Sequence, residues 1–391
     1  MQQKRQEKAK KQSRSGIGIL LGASFCLVIF LLFLLALTPP SALISREGKE
    51  QGFVSLNTEE VFSLEEGEAL QIYPYNADHV LKLSNELLSY LSFKGEEEFS
   101  VPVNCQNPFL SREGEYILIA DEGGFNYYLA DAEGLVFEGK TDAPIRGASV
   151  SASGKMAFLC DEMHSKGVLR VIGEDGKHIL DWRVRDRLRS GYILDMDFTP
   201  DSRYIDVTQL NSDGASLQTI MTRLDLDNAR ISLSLNQPDS GVYPRIYSRD
   251  GRTVYLMNAN DVLRNYGAEV SRWLHFDKIS EACPCADGMA LLAADEQNGH
   301  LKLFYYAYSE AGNLMYGETA PGSEVGRAPY ALTAGFGKIA AADGEGVYIM
   351  KENNIYDANY FACGSPVVRQ QFLSENHLLL ICRDSVSVIR V

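Results

Sequence analysis

Ser111-Arg-Glu-Gly-Glu-Tyr-Ile-Leu-Ile-Ala-Asp121 is a polar turn that runs straight into a short apolar strand. The same grammar recurs at Ser151-Ala-Ser-Gly154 before Met156-Ala-Phe-Leu-Cys, at Thr199-Pro-Asp-Ser202 before Tyr204-Ile-Asp-Val-Thr, and at Ser248-Arg-Asp-Gly251 before Val254-Tyr-Leu-Met. Plainer copies fall at Asp78, Gly288, Gly337 and Asn376, so successive turns lie 36, 40, 48, 49, 37, 49 and 39 residues apart. A period of roughly 40–50 residues is the length of one four-stranded propeller blade. The spacing predicts an all-β propeller of eight blades, with seven as the alternative.

A second repeat runs in another phase. Lys94-Gly95, Asp131-Ala-Glu-Gly134, Gly173-Glu-Asp-Gly176, Asp225-Leu-Asp-Asn228, Tyr266-Gly267 and Ser309-Glu-Ala-Gly312 each read as a hairpin turn before an outer strand. Gly, Asn and Asp suit such turns because tight hairpins need positive φ or side-chain bonds to nearby amides. After the last turn only Leu378–Cys382 and Ser385–Val391 remain, and the early Gly52-Phe-Val-Ser-Leu and Glu60-Val-Phe-Ser-Leu have no blade of their own. The N-terminal strand is therefore expected to complete the last blade and remove the open edges.

Of 391 residues, 33 are Gly, 20 Tyr, 17 Phe and 2 Trp, a composition fit for a turn-rich β body. Net charge is −15, but residues 1–16 carry Lys4, Arg5, Lys8, Lys10, Lys11 and Arg14 against Glu7, a local +5 that leaves −20 on the rest. A body that acidic repels phosphate backbones, so no nucleic-acid partner is expected.

Ile17–Leu37 is an uncharged run of 21 residues. As a helix it spans about 30 Å, the thickness of a bilayer core. It is too long for a typical signal-peptide core, and Thr38-Pro39-Pro40 stands where a small-residue cleavage site would lie. The expected order is a basic cytoplasmic tail (1–16), a transmembrane helix (17–38), a linker (39–51) and an extracytoplasmic propeller (52–391), with the N-terminus inside by the positive-inside rule. No Asn-x-Ser/Thr acceptor occurs, which favours a bacterial source.

The Thr199–Thr208 and Ser248–Leu256 elements resemble the repeats of WD-like propellers of the periplasmic TolB type. The stretch from Asn107 to about Leu226 is similar to membrane-anchored propeller proteins of Gram-positive bacteria whose function is uncharacterised. The resemblance implies fold and topology, and carries over no functional residue.

Five strands end in aspartate, at Asp121, Asp161, Asp295, Asp343 and Asp384. A ring of carboxylates on one face suits a cation; repetition once per blade suits turn aspartates that accept amide hydrogen bonds, which is the expected role. No calcium loop, nucleophile elbow or paired histidine ligands appear, so neither a metal nor a cofactor is expected. Only Trp182 and Trp273 exist, against the one tryptophan per blade of quinone-cofactor propellers. Six cysteines follow the apolar run: Cys160 and Cys382 lie in apolar strands, and Cys283-Pro-Cys285 is a close pair without the usual two-residue redox spacing.

Arg183, Arg185, Arg187 and Arg189 alternate through Trp182–Gly191, which places them on one side of an extended segment. They are the first choice for a surface that meets an envelope protein or an anionic wall polymer. The expected function is a non-enzymatic, membrane-tethered binding or scaffolding propeller. A small-ligand sensor using the central funnel and an envelope hydrolase or lyase with a funnel site are the alternatives.

Overall fold

In the computed structural model, the described residues are 58–184, 191–212, 216–237, 241–294, 299–308, 316–319 and 329–391. The tail, the apolar run Ile17–Leu37, the linker, Gly52–Leu56 and the Ser309–Gly312 turn lie outside them. Among the described residues no helix is long and apolar enough to cross a membrane, and the helical content is one 3₁₀ turn, Glu68–Gln71.

Within the compact unit Ser55–Val391, the strands form eight four-stranded antiparallel sheets. We letter each blade's strands a to d in the order of the sheet, a being innermost. Each turn of the first repeat leads into a b strand: His79–Leu83, Tyr116–Asp121, Met156–Cys160, Tyr204–Asn211, Thr253–Met257, Gly288–Ala294, Lys338–Ala342 and His377–Cys382. The physical reason is visible in the backbone. Gly114, Gly154, Ser202 and Gly337 all take positive φ (58°, 73°, 56° and 70°), which closes a tight a–b hairpin. Asn76 and Asp250 instead accept the amides two and three residues on, at 2.6–2.9 Å.

Blade 8 closes the ring as expected. Its order is Thr58–Ser63, Ser385–Arg390, His377–Cys382, Val367–Ser374, so the first strand of the unit is the outer strand of the last blade. Thr58 pairs with Ile389 and Ser63 with Ser385, with one register shift between Glu60 and Phe62.

The b strands are almost wholly buried because both faces are covered by neighbouring blades. There are eight apolar clusters, one at each blade junction. The one between blades 4 and 5 is the smallest, with six buried members including Met221, Tyr243 and Ile246. Polar groups fill its place. Asp206 and Arg223, opposite each other on strands b and c of blade 4, form a buried bidentate pair with both contacts at 2.7 Å. Arg223 also donates to the Gly251 and Asp250 carbonyls of blade 5, and the Ser248 hydroxyl donates to Asp206 at 2.7 Å.

An a strand at the axis has an inward edge of unpaired amides and carbonyls. A side chain of one blade reaches the backbone of the next at every junction. From blade 1 around to blade 8 the bridges are Tyr75 to the Glu115 carbonyl, the Val150 amide to Ser111, and Arg146 to the Ile193 carbonyl. Next come the Ile246 and Ser248 amides to Asp195 and Asp197, then Tyr247 to the Ala282 carbonyl. The Ala331 and Leu332 amides bind Glu281, and Gln370 binds the Ala331 carbonyl. Arg369 completes the belt on the Ala69 and Ile72 carbonyls, both at 3.0 Å. Arg112 spans further, from blade 2 to blade 1 carbonyls and to Gln371 of blade 8 at 2.6 Å. The inner-wall side chains Arg112, Arg146, Asp195, Asp197, Glu281 and Arg369 thus hold neighbouring blades together.

Candidate functional site

Strand b ends, and the b–c turn begins, on the same face at which strand a starts. That face carries Arg183 and the described strand-end aspartates Asp121, Asp161, Asp343 and Asp384. Of the four alternating arginines, Arg183 ends strand d of blade 3 (His178–Arg183); Arg185, Arg187 and Arg189 lie outside the described residues. Arg183 is half-buried and already paired, 3.0 Å from Glu162 and 3.3 Å from Asp181.

The strand-end aspartates do not behave as one ring. Asp121 is buried and accepts the Gln106 and Asn107 amides, both at 2.8 Å. Asp343 is buried and accepts the Glu345 and Gly346 amides at 3.0 and 2.9 Å. Asp161 is exposed and lies 3.8 Å from Arg146, while exposed Asp384 accepts the Ser385 hydroxyl at 3.1 Å. Asp295 lies outside the described residues. Ser84 and Asn258 take the Asp343 place in blades 1 and 5, accepting the amides two and three residues on. Turn closure explains Asp343 and its equivalents, and among the described residues no three His, Cys, Asp or Glu converge to hold a metal ion.

What the sequence reading missed is where apolar side chains are left in water. Leu70, Phe125, Met163, Tyr192 and Leu217 are exposed, and all five sit on the b–c face of blades 1 to 4. Met163 is 83% exposed and Leu70 64%. None of the exposed large apolar residues described in blades 5 to 8 lies on this face; Tyr266 and Phe336 are on the opposite one. Two clefts open beside the apolar group. One of about 250 Å³ lies between blades 3 and 4, lined by Arg146, Leu159, Ile193, Asp195 and Met196. The other, about 540 Å³, lies over blade 1, lined by Leu70, Tyr73, Leu83, Asn85, Glu86 and Pro108. A readable sign existed: Met163 and Leu217 are lone apolar residues in otherwise polar b–c loops.

Around the blade 3–4 cleft the charges are matched. Arg170 is held by Asp142 at 2.5 Å and Asp181 at 2.9 Å, and its guanidinium keeps both carboxyls below their ordinary range. His178 meets Asp181 at 3.0 Å, and the Lys166 ammonium sits 5.7 Å over the Tyr192 ring. The described arginines of the blade 3 rim are therefore paired, beside exposed Met163 and Tyr192.

The described cysteines are all free thiols. Burial pushes Cys105, Cys160 and Cys283 each up to about 11. Cys285 is pushed up as well, and its Sγ lies 3.6 Å from the Cys283 carbonyl. Cys363 and Cys382 are different. Both belong to the blade 7–8 cluster, where their interaction raises Cys363 and lowers Cys382, and the Cys363 Sγ lies 3.9 Å from the Phe361 carbonyl.

The fold places this chain among eight-bladed propellers with an N-terminal closing strand. Over residues 49–232 it matches a family of unknown function, DUF5711. That match ends in strand d of blade 4 (Arg230–Asn236). No curated protein matches the chain. Among solved structures it is similar to BamB from Moraxella catarrhalis (13% identity, 86% of this chain and 100% of that one, TM-score 0.52). The WD40 domain of SCAP from fission yeast is similar too (7% identity, 86% of this chain and 94% of that one, TM-score 0.55). So is the dihydro-heme d1 dehydrogenase NirN (14% identity, 75% of this chain and 67% of that one, TM-score 0.53). At these identities the likeness establishes the propeller fold alone.

Proposed function

We propose that this protein is a membrane-tethered, extracytoplasmic propeller that binds a cell-envelope protein on the b–c face of blades 1 to 4, without catalysis. The observation that carries this reading is the one-sided exposure of Leu70, Phe125, Met163, Tyr192 and Leu217 around two clefts. Exposed apolar groups rimmed by polar residues mark interaction surfaces. The chemistry favours a protein over an anionic wall polymer, because Arg170 and Arg183, the described arginines of the blade 3 rim, already have carboxylate partners. Tethering rests on the uncharged run Ile17–Leu37 behind a basic tail.

The test is crosslinking in intact cells, with wild type compared to a Met163→Asp, Leu217→Asp double variant. A specific envelope protein captured by wild type and lost by the variant, at unchanged melting temperature, is the expected result. Equal capture by both proteins would remove this face as the interface.

A further inference from the structure

We infer that the cleft between blades 3 and 4 is a binding site for a small carboxylate with a compact apolar body, held by Arg146 beside Gly147. The internal repeat supplies the argument. In blades 3, 4, 6 and 8 the register of the innermost strand slips at one matching place, and the residue after the slip is Gly147, Asp195, Glu281 and Arg369 in turn. Such bulges re-aim the neighbouring side chain. In blades 4, 6 and 8 that side chain crosses to the next blade. Asp195 accepts the Ile246 amide at 3.1 Å, Glu281 accepts the Ala331 and Leu332 amides at 3.1 and 2.7 Å, and Arg369 donates to the Ala69 and Ile72 carbonyls. Gly147 has no side chain to send across. The cleft of about 250 Å³ opens beside it, against Ile193, Asp195 and Met196 of blade 4.

The walls define what fits. A Cβ on Gly147 would meet only the Leu159 side chain, at an ordinary 3.7 Å, and the φ of Gly147 is not positive, so neither crowding nor backbone strain requires a glycine here. Arg146 is the exception among the paired arginines around the cleft. Its Nη2 donates to the Ile193 carbonyl at 2.6 Å, but its Nε lies 3.8 Å from Asp161, beyond hydrogen-bond reach, and its side chain is 37% exposed. A guanidinium carries five donors in a fork that matches a carboxylate. Asp195, also on the cleft wall, is already engaged: its oxygens accept the Met196 and Ile246 amides at 2.9 and 3.1 Å. Asp195 and Glu281 show that the matching place in other blades takes a carboxylate, and at Gly147 a ligand supplies it. Leu159, Ile193 and Met196 give the body of that ligand an apolar surface. The site stands whether or not the surrounding face meets a protein.

The experiment titrates full-length protein in detergent with isovalerate, and with isoamylamine as a charge-reversed control of the same branched skeleton, by ligand-observed NMR. Isovalerate is expected to bind saturably and isoamylamine not to bind. Arg146→Gln should weaken isovalerate by about tenfold or more, the loss of a charge-assisted contact. Gly147→Glu should abolish binding at an unchanged or higher melting temperature, because the chain then carries its own carboxylate there, as blade 6 does at Glu281. Absence of saturable isovalerate binding to wild type would overturn the proposal. So would equal binding of isoamylamine, or isovalerate binding to folded Gly147→Glu as tight as to wild type.

Discussion

Asp206 and Arg223 show how a single pair sets the character of a whole junction. With exposures of 0% and 5% for their side chains, neither charge reaches water. Removing one partner of such a pair strands the other, at a cost of about 3–5 kcal/mol, whereas replacing both by apolar groups of similar volume is often neutral. Asp206→Asn should therefore lower the urea midpoint sharply, and Asp206→Leu with Arg223→Met should recover most of the loss. Its neighbour Asp197 is a different case, because burial pushes its carboxyl up to about 7, helped by Asp195, Asp206 and Glu113. A carboxyl whose folded value lies above its unfolded one binds its proton more tightly when folded. Its stabilising share is complete below the unfolded value and is lost as pH rises through the folded one. Asp197→Asn keeps an oxygen for the Ser248 amide but carries no charge. Relative to wild type, the variant should gain about 2 kcal/mol between about pH 5 and about pH 7.5. A wild-type minus variant difference flat across that range would refute the assignment. An aspartate inside the apolar run Tyr204–Thr208 was visible in the sequence, but its arginine partner lies on the next strand and was not.

At the scale of strands and turns the chain is easy to read, since each a–b hairpin needs a residue that tolerates positive φ or an amide-accepting side chain. Both leave a mark. The c–d turn of blade 7 at Glu352-Asn353 has no glycine and no aspartate, so nothing flagged it. Gly191 was not legible either. A Cβ placed there would lie 1.9 Å from the Leu210 carbonyl oxygen, a contact with backbone that no rotamer relieves. Gly191→Ala should destabilise by about 3 kcal/mol or more, read as a lower melting temperature. An alanine variant as stable as wild type would show that the blade 4 entrance yields more readily than its packing indicates.

For the whole molecule, the propeller was legible because strand and turn periods are local, and the candidate site was not because it is a property of exposure. Met163, Tyr192 and Leu217 are separated in sequence and share a face only once the blades are stacked. The arginine alternation was local and therefore conspicuous, yet Arg183 proves to be engaged within its own blade. Tethering makes a prediction at this scale: full-length protein should stay with membranes after an alkaline carbonate wash, and protein lacking residues 1–37 should be released. Release of the full-length protein would rule out a spanning segment. The closing strand carries one more consequence. Thr58 pairs with Ile389 beside the C-terminal end, so tension applied to the N-terminal segment meets the Thr58–Ile389 pair first. If a partner grips the b–c face while the other end is held at a membrane, the ring yields at this seam, and the strand that completes the propeller is also its mechanical fuse.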